Sequence, residues 1–273
     1  MTAGDLAPEA ADARYQSGEI HFSVCTLVND WAQYQAMLDS FRAAGFAPPY
    51  CEFLYLDNRP GNRFDGFAGL NLFLATARGR HIILCHQDVR LDYDRIDRLA
   101  AVIAEMDAHD PNWAVLGNGG GMAPGRLALR ITDPHGMDQR RGDLPAAVSA
   151  LDENFLVVKR AANLALSRDL AGFHLYGADL CIIADILGYR SYVVDFHLTH
   201  LSPGNADRRF HDLRLGLVEK YRRAFRSRWV INPSAAMFLS ASSWRRWLMS
   251  SGWGRKMARL RQRWSGGAAG GNE

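Results

Sequence analysis

The chain has 273 residues, 48% hydrophobic and 22% charged, with a formal net charge of +3. These values exclude general disorder and leave room for one catalytic-sized domain with a sizeable core, plus an appendage. The opening MTAGDLAPEAADARYQSGE carries acids and no apolar segment, so it does not read as a signal peptide, and no run reaches the ~20 apolar residues of a bilayer span.

Residues 1–19 read as a flexible leader. IHFSVCTLV then reads as a buried strand, stopped at Asn29-Asp30. WAQYQAMLDSFRAAG places Tyr34, Met37, Leu38 and Phe41 at helical spacing and ends at Gly45. CEFLYLD is a second strand, NRPGNR a loop, FAGLNLFLATARG a second helix, and HIILCHQDV a third strand, apolar until His86. Strand–helix–strand–helix–strand in this order predicts an α/β fold with a mainly parallel sheet flanked by helices. Ligands of such sheets bind beyond the carboxyl ends of the strands. Polar groups from Thr26 to Asp30, at Asp57-Asn58 and at His86-Gln87-Asp88 are therefore expected around one cleft.

The second half continues with a helix over IDRLAAVIAEMDA and a strand, WAVLGNGGGM, that runs into glycines. Residues 124–146 are punctuated by Pro124, Pro134, Gly136, Gly142 and Pro145 and read as loop. AAVSALDENFLVVKR reads as two short strands about Asp152-Glu153, GADLCIIADILG as a helix ending at Gly188, and YRSYVVDFHLTHLS as a strand ending in His200. In a strand His197 and His200 face opposite sides, so only one of them suits the cleft.

Cys25, Cys51, Cys85 and Cys181 sit in apolar segments without the spacing of a zinc site or disulfide framework, and read as buried thiols of a cytoplasmic protein. Residues 208–264 hold fifteen basic residues against Asp212 and Glu219, leaving seventeen basic against twenty-seven acidic residues elsewhere. Residues 207–264 read as a basic helical extension with Trp244, Trp247, Trp253 and Trp264 among arginines, and 265–273 as a flexible tail. The extension suits an anionic membrane surface, which would place the protein peripherally at the inner membrane face. Solvated helices whose tryptophans cover the catalytic domain are the other reading, and nucleic acid is disfavoured because no nucleic-acid motif accompanies the charge.

The ordered set SVCTLVND, FLYLDN, GLNLFLATARG and IILCHQDV, followed by FHLYGADLCIIADILGYRSYVVDFHLTHLS, resembles family-2-like GT-A glycosyltransferases, in the bacterial subgroup with an HQDV-type motif. The likeness covers roughly residues 20–203 and implies one Rossmann-like GT-A catalytic domain, set at 20–206. It implies transfer of a sugar, with inversion, from a nucleotide-sugar donor to a hydroxyl of a glycan or lipid-linked acceptor, as in polysaccharide biosynthesis. A UDP-sugar is favoured, with Mn2+ or Mg2+ as cofactor. Asp88 then anchors metal and diphosphate, His200 is a second metal contact, and Asp57 meets the base.

Thr26, Asn29, Asn71 and Gln87 are further donor-site candidates, and Arg63 a candidate diphosphate contact. Asp179 is the expected base, Asp152 its alternate, and Glu153, His174 and Tyr176 the expected acceptor contacts. Two departures stand out: His86 replaces the first acid of Asp-x-Asp, and Gly177-Ala178-Asp179 retains one acid of an acidic run. They leave a catalytically inactive sugar-nucleotide-binding protein as an alternative. The GNGGG at 117–121 leaves a methyltransferase as another, since glycines after a strand cradle phosphates or nucleosides.

Overall fold

The computed structural model describes residues 20–59, 61–204, 207–231, 236–251 and 256. The expected leader and tail, with Trp253 and Trp264, lie outside the described residues. The chain divides into two compact units, 1–214 and 215–273.

In chain order the first unit runs β1 (Phe22–Val28), α1 (Trp31–Ala43), β2 (Cys51–Asp57), α2 (Gly66–Thr76), β3 (His81–Cys85), β4 (Val89–Arg90), α3 (Ile96–His109) and β5 (Trp113–Gly117). There follow β6 (Gly119–Ala123), β7 (Arg126–Asp133), β8 (Gly136–Arg141), β9 (Ala146–Val148), β10 (Ala150–Leu151) and β11 (Phe155–Lys159). Then come α4 (Tyr176–Ile186), β12 (Arg190–Val193) and β13 (Leu198–His200). Helix α5 (Arg208–Ala224) crosses the unit boundary, and β14 (Arg228–Ile231), β15 (Ala236–Leu239) and α6 (Ser243–Ser250) follow.

The large sheet has the order β2-β1-β3-β11-β5-β12-β9. β1 runs parallel to β2 and β3, and β5 parallel to β12, because helices supply those crossovers. β11 lies antiparallel between β3 and β5, and β9 antiparallel to β12. The sheet is therefore mixed, which corrects the expectation of a mainly parallel one: β6 to β11 join through short turns with no covering helix, and such connections give antiparallel neighbours.

Period-two alternation sends successive side chains to opposite faces of the sheet. Val24, Ile83 and Val157 face one layer with Tyr34, Met37 and Phe41 of α1 and Leu99, Val102 and Met106 of α3. Cys25, Ile82, Leu84 and Val158 face the other, with Phe67, Leu70 and Phe73 of α2 and Leu180 and Cys181 of α4. Burying a large apolar side chain of this kind contributes about 1.5–3 kcal/mol. All four cysteines are buried free thiols, as expected, and burial pushes Cys51 up to about 12 and Cys181 to about 11, which makes both inert.

A second sheet runs β10-β6-β7-β13-β4, with β8 paired to β7. The stretch 124–146 thus holds the β7–β8 hairpin where a loop was expected. Its breakers mark turns: Gly125 and Gly142 adopt φ of +73° and +78° at strand ends. The single strand expected over 189–202 is two strands in different sheets. The break falls at Asp195, whose carboxylate is drawn to Arg130 and Arg140 at 3.0 and 2.8 Å. In the second unit the β14–β15 hairpin interrupts the expected helical extension, since RWVI and AMFL are rich in strand-favouring residues. Among the described residues no helix is long and apolar enough to cross a membrane.

Candidate active site

The carboxyl ends of β1, β2 and β3 open on a cleft of about 260 Å³. Asn29, Asn58 and His86-Gln87-Asp88 line it from those three ends, with Asn62, Glu153, Phe173 and Tyr176 opposite and Leu27, Leu70 and Leu84 beneath. Capping sets the local backbone. Asp30 accepts from the Gln33 amide and starts α1, and Asp65 accepts from the Phe67 and Ala68 amides and starts α2. The Gln87 side-chain oxygen accepts from the amides of Asn29 and Asp30, both at 3.0 Å, and ties the end of β3 to the turn after β1.

Beyond β3 the chain runs from His86 through Asp88 into β4, whose antiparallel ladder with β13 pairs Val89 with His200. The Leu201 amide donates to the Asp88 carbonyl at 3.1 Å. The two rungs bring His200 Nε2 to 3.4 Å from Asp88 Oδ1, while His86 Nδ1 lies 3.9 Å from the same oxygen. One ligand atom from each of His86, Asp88 and His200 falls within 4.8 Å of the others. An ion at the usual ~2.0–2.3 Å from its ligands spans such separations.

His200 Nε2 is buried and makes no well-aligned hydrogen bond, its nearest partner being Asp88 Oδ1 at 3.4 Å. A buried imidazole nitrogen in that state is costly unless something occupies its lone pair, and a cation does so. The His86 Nε2 lies 2.6 Å from the Tyr176 hydroxyl, which donates to the Glu153 carbonyl oxygen at 3.4 Å. With the Tyr176 hydroxyl donating to Glu153, His86 Nε2 is the donor of the 2.6 Å bond, and this is the tautomer whose Nδ1 lone pair is free for a cation beside Asp88. Burial and the His200 ring push the His86 pKa down, keeping it neutral. Burial works against the Asp88 carboxylate, but the two imidazoles outweigh it and hold its pKa below the usual value. The donor set fits a divalent cation. His86 is the member that the sequence reading left unassigned. Its signal was the His-x-Asp pair at the end of an apolar strand; the structure folds 86–89 into a turn, the Val89 amide donating to the His86 carbonyl at 3.3 Å, and this turn carries both side chains.

Glu153 sits at the amino end of α4. Burial, followed by Asp152, raises its pKa from 4.5 to about 8, against the lowering pull of the Gly177, Leu175 and Tyr176 amides at the helix end. The helix has no side-chain cap of its own, and Leu175 takes the left-handed φ of +60° at its N-cap. A Cβ on Gly177 would lie 2.5 Å from the Leu151 carbonyl oxygen and 3.2 Å from Glu153 Cγ. The glycine that thinned the acidic run is thus the residue that admits Glu153 to the helix end.

Several candidates stand elsewhere. Asp179 is 0% exposed, and both its oxygens accept from Ser167, from the amide at 2.8 Å and the hydroxyl at 2.7 Å; it stays clear of the cleft. Thr26 is buried with its hydroxyl toward Met37 Sδ, and Asn71 exchanges two hydrogen bonds with the Leu166 backbone, so neither lines the cleft. Asp57 makes a bidentate pair with Arg59, whose guanidinium holds its pKa down at about 2 and lies 5.0 Å over the Trp31 ring. Arg63 is exposed beside Phe64, and His174 packs edge-on to Phe210. Asp152 is exposed, its oxygens turned to the Glu153 amide and the Asn154 side chain.

The GNGGG glycines belong to ladders, Gly120 pairing with Ala128 and Leu151, and a Cβ there would meet the Ala150 carbonyl oxygen at 2.7 Å. They pack strands together and form no phosphate-cradling turn, which removes the support for a methyltransferase.

No family model matches the chain. Among solved structures it is similar to GalNAc-T7 with UDP, GalNAc and Mn2+ at 10% identity and a TM-score of 0.46, over 67% of this chain and 44% of that one. It is similar to S. aureus TarS 1-349 with UDP-GlcNAc at 12% identity and a TM-score of 0.45, over 68% and 60% of the two chains. It is also similar to A197 from STIV at 13% identity and a TM-score of 0.39, over 66% and 85%. These are loose likenesses, and the chain spans less than two thirds of the first two. The curated relative is nearer: a Fuscovulum blasticum protein described as "ATP synthase subunits region ORF 6", a description that states no activity, is 45% identical over 215 residues, 76% of this chain and 86% of that protein. At that identity and coverage, the chain belongs to the family of the F. blasticum ORF 6 protein.

Proposed function

We propose that the protein is a metal-dependent glycosyltransferase of GT-A type, using a nucleotide-sugar donor, with a UDP-sugar favoured. The observation that carries this reading is the His86–Asp88–His200 cluster: His86 and Asp88 line the cleft that Glu153 shares, and the buried His200 Nε2 lies 3.4 Å from Asp88 Oδ1. When bound, a divalent cation there supplies positive charge against the diphosphate leaving group. Two imidazoles beside one carboxylate favour Mn2+ over Mg2+.

The chain's own residues do the rest. Tyr176 orients His86. Gln87 fixes the turn after β1 through the Asn29 and Asp30 amides, and Asn58 fixes the loop after β2 through both side-chain atoms on the Phe64 backbone, so the two together shape the donor side of the cleft. Glu153 replaces Asp179 as the base: its carboxylate lines the cleft, and a pKa near 8 suits proton removal from an acceptor hydroxyl. Displacement at the anomeric carbon by a hydroxyl deprotonated in this way inverts the configuration. The acceptor class proposed is a glycan or lipid-linked glycan, made where the donor is found, in the cytoplasm.

The test is release of UDP from a panel of UDP-sugars, with Mn2+, Mg2+ or Fe2+. Mn2+-dependent release from one donor, lost in Asp88→Asn and in Glu153→Gln, supports the reading. Two histidines and one carboxylate also suit Fe2+. Turnover with Fe2+ alone, or donor binding without turnover under any metal and acceptor, would replace it with an iron site or with an inactive binding protein.

A further inference from the structure

The second unit carries a feature that the cleft chemistry does not use. From residue 215 onward the chain has twelve lysines and arginines against Glu219 and Glu273, and Glu219 is ion-paired to Arg222 at 2.7 Å. Apolar side chains are exposed on the same unit. Trp244 and Trp247 are 65% and 71% exposed, and α6 buries none of its residues. The spacing of three puts the two tryptophans on one face of the helix, with Arg245 and Arg246 between them in sequence. In the hairpin, Met237 and Leu239 share one face of β15 with Val230 of β14, which pairs with Met237, and all three are exposed; Ile231 is exposed on the other face at the end of β14.

Exposed tryptophans and aliphatic groups set among arginines are the signature of an interfacial helix, whose rings sit at headgroup depth while the cations meet lipid phosphates. We propose that this unit is a membrane-docking surface whose partner is an anionic phospholipid bilayer. Charge complementarity selects that occupant. A second copy paired through the same unit would bring equal basic charge against it, and a copy that docks through its acidic remainder is the outcome that sedimentation velocity detects below. Nucleic acid would match the arginines but leaves the Ile231, Met237 and Leu239 side chains without an apolar partner. The surface rests on the second unit alone and does not depend on the proposed transferase activity.

The test uses the full chain. Co-sedimentation is measured with vesicles of phosphatidylglycerol and phosphatidylcholine, and with pure phosphatidylcholine, for the native protein and for Trp244→Ser/Trp247→Ser. Both positions are exposed, so the variant should fold; far-UV circular dichroism checks this. The expected result is binding to the anionic vesicles at least tenfold tighter than to neutral ones, and at least tenfold weaker in the variant. It should also weaken as salt rises from about 0.05 to about 0.5 M. Arg245→Glu/Arg246→Glu gives an independent second arm with the same expected loss. Equal binding to neutral vesicles, no binding to anionic ones, or unchanged binding in both variants would overturn the proposal. So would a dimer seen by sedimentation velocity that dissolves in the tryptophan variant without any lipid binding.

Discussion

Glu153 holds its proton in the folded chain to about pH 8, where an unfolded glutamate has released it near 4.5. The sign follows from the raised value. The stability this group contributes is full below about 4.5 and is lost as pH rises to about 8. The melting temperature of the native protein should therefore fall from pH 5 to 8 more steeply than that of Glu153→Gln, and parallel slopes would contradict a raised Glu153 pKa. Turnover needs the deprotonated form, so kcat should climb to about pH 8, and Glu153→Gln should lose that limb and roughly 10²–10⁴-fold in kcat. Tyr176→Phe removes the group that sets the His86 tautomer and should weaken Mn2+ binding about 10–100-fold by calorimetry. Asp179→Ala should behave differently: it strips the partner from a buried Ser167, costs about 1–3 kcal/mol in denaturant melts, and leaves the pH limb in place. At this scale the place of Asp88 in the cleft lining was legible because it ends an apolar strand. The surroundings of Asp179 were not, because a carboxylate opening a helix reads alike whether it faces a cleft or caps a loop, and only the fold shows Ser167 against it.

Elements bring these residues together through close approaches. A methyl group on Gly177 would meet the Leu151 carbonyl oxygen, so Gly177→Ala must push the turn before β11 away from α4 and carry Glu153 with it. A loss of about 1–3 kcal/mol is expected, with a fall in kcat beyond what the stability change explains. Asp30→Ala, by contrast, removes only the cap of α1 and should cost about 1 kcal/mol. The first three strands and their helices were legible because runs such as FSVCTLV and HIILC are long, apolar and bounded by polar stops. The β7–β8 hairpin was not: LALRIT alternates weakly among charged neighbours, and the glycines and prolines around it mark turns as readily as loops. Nor could a one-strand reading of 189–202 foresee the bend at Asp195, which depends on Arg130 and Arg140 from β7 and β8.

For the whole molecule, the sequence placed a cleft at the carboxyl ends of β1 to β3, and Asn29, Asn58 and His86-Gln87-Asp88 do line one. It could not show that β11 enters the sheet antiparallel and delivers Glu153 across from Asp88, because that depends on a pairing between segments about seventy residues apart. The proposed chemistry requires that the cleft bind a nucleotide diphosphate through a cation held by His86, Asp88 and His200. Calorimetric titration of UDP with the native chain and with His200→Ala, in Mn2+ and in EDTA, measures this directly. Binding is predicted for the native chain with Mn2+, absent in EDTA and weakened at least about tenfold in His200→Ala. UDP binding of equal strength in EDTA and in the variant would contradict the central claim.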